Sequence, residues 1–206
     1  MFYKNHLESN VKLLKILDIT SDISVGMNRF EDKQNESNDL EEGYLLAGHN
    51  ITENGLINLS GAKTIFVEPL LAMRKQLKVG DVIFLSKGTN LRAALITNEQ
   101  KDEKIYAPAT CLVIRPKQDK ILSEVLVTFL NSQYGQAMLK TLSKGATIQH
   151  IPASTLKDIE INIPSMSKQE KIAEVFHSHN QTMLSLEALK VQQSKTTEAL
   201  FQSLMK

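Results

Sequence analysis

The chain has 206 residues, 42% of them apolar and 23% charged, with a formal net charge of +1. That size and composition suit one globular domain with an appendage and exclude a chain disordered over long stretches. The charge excludes a uniformly basic nucleic-acid binder and leaves room only for a basic face set against an acidic one. Such segregation is visible: residues 29–42 hold six acidic side chains against Arg29 and Lys33, and residues 63–92 hold six basic ones against Glu68 and Asp81.

The single cysteine, Cys111, lies in an apolar run and excludes an internal disulfide and a cysteine-based zinc site. Residues 1–10 carry Lys4, His6 and Glu8 and no long apolar stretch, and nothing approaches a membrane span. A soluble, cytoplasmic protein is expected. Residues 11–23 open the fold as a short helix or strand, and residues 28–42 read as a polar, acidic loop. Tyr44 to Leu46 is strand-like. Residues 51–60 contain Asn54-Gly55, a tight-turn pair that tolerates positive φ. Residues 64–67 form a β-branched run. Val79-Gly80-Asp81 leads into a buried strand over 82–85. Residues 87–90 then read as a turn, 93–97 as the returning strand and 109–115 as another strand.

From Lys120 the period becomes helical: Ile121, Leu122, Val125, Leu126, Phe129 and Leu130 recur at three and four. A second helix covers 133–142, and residues 144–147 break it. Residues 159–163 alternate and stop at Pro164, as a strand does. Beyond it, Ser167 is the expected N-cap, with Glu170 completing a capping box. No Gly or Pro follows to Lys206. Ile172, Phe176, Met183, Leu186, Leu189, Leu200 and Leu204 mark one stripe, interrupted at Gln193 and Thr197. A helix of nearly forty residues is on the order of 55–60 Å long. Its narrow stripe suits a coiled-coil seam. The chain thus divides into an α/β (α+β) domain over 1–165 and a long C-terminal coiled-coil helix over 166–206.

Catalytic signatures are missing. There is no GxGxxG, no phosphate-binding loop, and no Asn or Asp followed by Pro-Pro and an aromatic. His177 and His179 are two apart and point in different directions on a helix. Asp22 with Glu31, Asp32 and Lys33 is the nearest approach to a metal-dependent nuclease set, but it lacks the flanking strands. No catalytic residue, metal or cofactor is expected.

Residues 145–173, GATIQHIPASTLKDIEINIPSMSKQEKIA, carry a fixed order of features: Gly145, Thr147, Ile151, Leu156, Ile161-Asn162-Ile163-Pro164 and Gln169-Glu170-Lys171-Ile172-Ala173. Upstream, Leu77-Lys78-Val79-Gly80-Asp81-Val82-Ile83 leads into a strand, and residues 126–142 form a helix pair. Together these features resemble a target recognition domain of type I restriction–modification specificity (S) subunits. The chain lacks the tryptophan often found early in that domain. It has one domain and one long helix where a full-length member has two of each, so it resembles a half-size form.

The resemblance implies a non-catalytic subunit that directs a DNA methyltransferase (M) subunit to a bipartite double-stranded DNA target, with a restriction (R) subunit optional. It implies pairing of two copies through the C-terminal helix along Ile172, Phe176, Met183, Leu186, Leu189, Leu200 and Leu204, and hence a palindromic site. Cations suit phosphates, and amides, hydroxyls and Arg suit base edges. Two loops offer both: Lys87, Thr89, Asn90 and Arg92 in one, and Lys144, Thr147, Gln149 and His150 in the other. Lys63, Arg74 and Lys75 are secondary phosphate candidates, and the acidic 31–42 loop is expected away from DNA. Two rivals differ in chemistry: a protein-interaction adaptor of the same fold that has lost DNA binding, and a small nuclease using Asp22, Glu31 and Lys33.

Overall fold

The computed structural model describes residues 12–32, 39–143 and 147–205. In chain order the elements are β1 (Lys12–Lys15), a 3-10 turn (Ile16–Ile19), β2 (Thr20–Val25), β3 (Glu41–Leu45), β4 (Lys63–Val67), α1 (Pro69–Lys75) and β5 (Val82–Leu85). There follow β6 (Lys87–Gly88), β7 (Arg92–Leu95), β8 (Ile105–Tyr106), β9 (Cys111–Pro116), α2 (Ser123–Asn131) and α3 (Gln133–Leu142). The chain then runs through β10 (Gln149–His150), α4 (Ala153–Lys157), β11 (Glu160–Ile163) and α5 (Met166–Leu204).

The central sheet is antiparallel, in the order β2-β9-β5-β7. All four residues of β5 are buried, because both faces of the sheet are covered. Alternation sorts the side chains. Val82, Phe84, Ala93, Leu95, Leu112 and Ile114 face the larger core, shared with α2. Ile83, Leu85, Ala94, Ile96, Cys111 and Val113 face a second one. A smaller sheet, β4-β3-β8, joins a parallel to an antiparallel pair and packs with Ala72 of α1 around Tyr106. Strand β1 pairs with β11, Lys12 opposite Ile163, so the start of the described fold is tied to the strand that feeds the long helix.

Two hydrogen-bonded clamps position the helices. The Asn131 amide closes the free edge of β7: the Ala93 N–H donates to Oδ1 and Nδ2 donates to the Ala93 carbonyl, each at 2.8 Å. At the base of α5, buried Gln169 accepts from the Leu122 N–H at 2.9 Å. Its amide donates to the Lys120 and Pro164 carbonyls at 3.0 and 3.1 Å. Ile172 and Phe176 follow onto the larger core, and His177 Nε2 lies 2.9 Å from Glu124 of α2. Beyond Asn180 every described residue of α5 is exposed. At about 1.5 Å per residue, the 39-residue helix is about 58 Å long, and more than half of it projects uncovered.

Several expectations change. The opening segment is strand, 3-10 turn and strand, with the Thr20 hydroxyl donating to the Ile16 carbonyl at 2.9 Å. Ser165, not Ser167, flanks the start of α5, with no side-chain cap, so the Ser167–Glu170 capping box does not form. Residues 87–88 are a short strand rather than part of a simple turn. In the expected acidic loop, Glu31 forms a bridge with Phe66 and Glu41-Glu42 begin β3. Residues 33–38 lie outside the described residues.

Candidate nucleic-acid interface

Strand β6 extends the chain past the end of β5 and pairs with β10, Lys87 opposite His150 and Gly88 opposite Gln149. Buried neighbours anchor this two-stranded ribbon. The Ser86 N–H donates to the Thr110 carbonyl at 3.1 Å, the Ile151 N–H donates to the Ser86 carbonyl at 2.9 Å, and Ile151 is fully buried. The ribbon thereby joins the two loops singled out in the sequence.

Beside it lies an open groove of about 500 Å³, lined by Thr89, Asn90, Arg92 and Gln149 from those loops. Lys87, Thr89, Asn90, Thr147 and His150 are exposed, and Gln149 is half-buried. Lys144 lies outside the described residues. Arg92 differs from the expected free reader: its Nη2 donates to the Gly48 carbonyl at 2.7 Å, and its Nε is buried without a hydrogen-bond partner. It braces the turn at residue 48 as well as lining the groove.

The groove is also lined by polar residues the sequence reading missed: Glu53, Asn131, Gln136 and Lys140. Asn131 sets the end of α2 against β7. Ser132 then caps α3 by accepting from the Gly135 N–H at 3.0 Å. A Cβ at Gly135 would meet the Phe129 carbonyl oxygen at 2.1 Å, so only glycine allows this close turn. Gln136 and Lys140 are four apart and share a helix face, which was the available signal. Among the described residues, Lys87 and Lys140 form no ion pair.

The secondary cations are committed elsewhere. Lys63 pairs with Asp32 at 2.6 Å and sits 5.2 Å over the Phe30 ring, and Lys75 donates to the Val25 carbonyl at 2.8 Å. Arg74 lines a separate cavity of about 950 Å³ with Glu31, Asp39 and Glu68. Two carboxylates of the nuclease set have other partners. Asp22 accepts from the Ser24 hydroxyl and lies 3.8 Å from Arg115, whereas Asp32 pairs with Lys63. Lys33 lies outside the described residues. Among the described residues no group of three His, Cys, Asp or Glu could hold a metal ion.

The recurring motifs build the scaffold. Gly80 has φ +90°, a left-handed turn before β5, and its carbonyl accepts from the Ser123 hydroxyl at 2.7 Å. Asp81 accepts from the Lys78 N–H at 2.9 Å and from Arg115 Nε at 3.2 Å. Burial raises its carboxyl above the usual range, and both of those donors act against the rise. Gln169, from the Q-x-x-I-A stretch, is the clamp under α5.

Residues 43–194 match the family model described as the type I restriction modification DNA specificity domain. The chain belongs to that family. A specificity domain recognises DNA within such a system and is not its catalyst. Solved structures share the fold. A chain solved in work on complex assembly and conformational transition of the type I R-M system is 16% identical with a TM-score of 0.61, covering 92% of this chain and 43% of that one. The S subunit of a type I system from M. genitalium is 17% identical, TM-score 0.59, with 92% and 43% covered. The HsdS subunit from Thermoanaerobacter tengcongensis is 14% identical, TM-score 0.55, with 86% and 39% covered. This specificity domain therefore spans about two fifths of those chains. No curated protein matches it. Among its described residues no helix is long and apolar enough to cross a membrane.

Proposed function

We propose that this domain reads one half of a split duplex target with the β6–β10 ribbon and its groove, and that two copies joined through the distal part of α5 read the whole. The observation that carries the reading is the ribbon. It gathers residues some sixty positions apart into one polar surface bearing cations. Lys87 and Lys140 suit phosphates, whereas Asn90, Gln149, Thr89 and Thr147 suit base edges. Met183, Leu186, Leu189, Leu200 and Leu204 are exposed on the projecting rod, as are Leu184, Val191 and Phe201. A twofold pair of rods covers them and presents two heads to an inverted repeat. A partner DNA methyltransferase subunit then supplies the chemistry, with or without a restriction subunit, in the cytoplasm.

Duplex binding by the chain with its methyltransferase, measured across salt concentration, tests this reading. Affinity should fall steeply with salt, and Lys87→Ala should lower the log–log slope by about one per copy bound. Salt-independent binding, or none, removes DNA recognition and favours the adaptor.

A further inference from the structure

We propose that Ile148 reads a thymine by packing on its 5-methyl group. The inference rests on the reading above, in which the ribbon faces DNA. Ile148 stands directly before β10, is 63% exposed, and belongs to none of the three apolar clusters. Its neighbours Thr147 and Gln149 are polar. Lys87 and His150 are register partners, so their side chains leave the ribbon from one face, and both are exposed.

A two-stranded ribbon fits the major groove, where hydrogen-bonding groups read most base edges. The thymine methyl offers no hydrogen bond and is read by apolar contact. Two apolar residues line the groove itself. Leu91 is 3% exposed and committed to the core, and Ala137 is small. Ile148, adjoining the ribbon at the residue before β10, is a branched apolar side chain left exposed to make that contact.

The target is first mapped from the methylation pattern. Each of its thymines is then replaced in turn by deoxyuridine, which lacks the methyl, and binding is measured for the full chain with its methyltransferase. One thymine in each half should lose about fourfold on losing its methyl, the worth of one buried carbon. Ile148→Ala should bind the unmodified duplex about fourfold more weakly per copy bound, about sixteenfold for two copies, and lose the thymine–uracil difference, whereas Ile148→Val should keep it. Wild-type binding that prefers the target but ignores every methyl overturns this inference alone. So does an Ile148→Ala variant that stays sensitive to uracil or loses affinity uniformly for all duplexes. A wild-type complex with no preference for the target overturns the recognition reading as well.

Discussion

Gln169 holds the base of α5 through three hydrogen bonds, and its side chain is 2% exposed. Gln169→Ala leaves the Leu122 N–H unpaired in a buried site, which alone costs about 1–3 kcal/mol. The Lys120 and Pro164 carbonyls lose their donor too, each worth about 0.5–1.5 kcal/mol net. A total near 3 kcal/mol is expected, allowing for water reaching part of the space. With a urea dependence of about 2 kcal/mol per M, the unfolding midpoint should fall by about 1.5 M. Gln169→Met keeps volume while removing all three bonds, and it should lose most of the same amount. Midpoints within about 0.3 M of wild type for both variants, well inside the shift expected from the denaturant slope, would refute the clamp.

Gly55 has φ +81°, and a Cβ there would lie 2.7 Å from Val127 Cγ1 and 3.0 Å from Phe176 Cε2. Gly55→Ala should destabilise by at least the 1–2 kcal/mol or so that left-handed backbone costs a side chain. A thermal midpoint equal to wild type would contradict both the left-handed turn at Gly55 and the close packing of Val127 and Phe176 against it. Burial pushes the Cys111 thiol up to about 12, so it should resist alkylation at pH 8 except through unfolding. The unfolded thiol ionises first, so stability should fall as pH rises from about 9 towards 12. Cys111→Ala should flatten that slope, and a slope unchanged by the substitution would count against it. Leu186→Glu and Leu200→Glu alter side chains 54% and 58% exposed on the single chain. Sedimentation should report monomers with an unchanged thermal midpoint, whereas persistent dimers would place the joint elsewhere.

Patterns that depend on near neighbours were legible in the sequence. The buried run at 82–85, the alternation before Pro164 and the long Gly- and Pro-free helix appear as expected, and the helical spacing read from Ile121 to Leu130 is realised from Ser123 onward. Helices α1 and α4, of seven and five residues, are too short for a period to register. The ribbon was invisible for a different reason. Two-residue strands carry no alternation, and Gln149 and Lys87 have no shared local signal; only the fold brings them together. Likewise, a three-and-four spacing looks the same whether it covers a helix's own domain or a partner. Ile172 and Phe176 take the first option, so they leave the expected pairing stripe, and the stripe from Met183 onward is exposed on the single chain. Arg92 is a cation in a polar loop by sequence, and its bond to Gly48 depends on a turn forty-four residues away.

The most direct test is a map of methylated adenines in DNA from cells that express this chain, with its methyltransferase, as their sole specificity protein. Two identical half-sites in inverted orientation, separated by a fixed spacer, are predicted from paired heads. Methylation at a site with two unlike halves, or no sequence-dependent methylation at all, would contradict it.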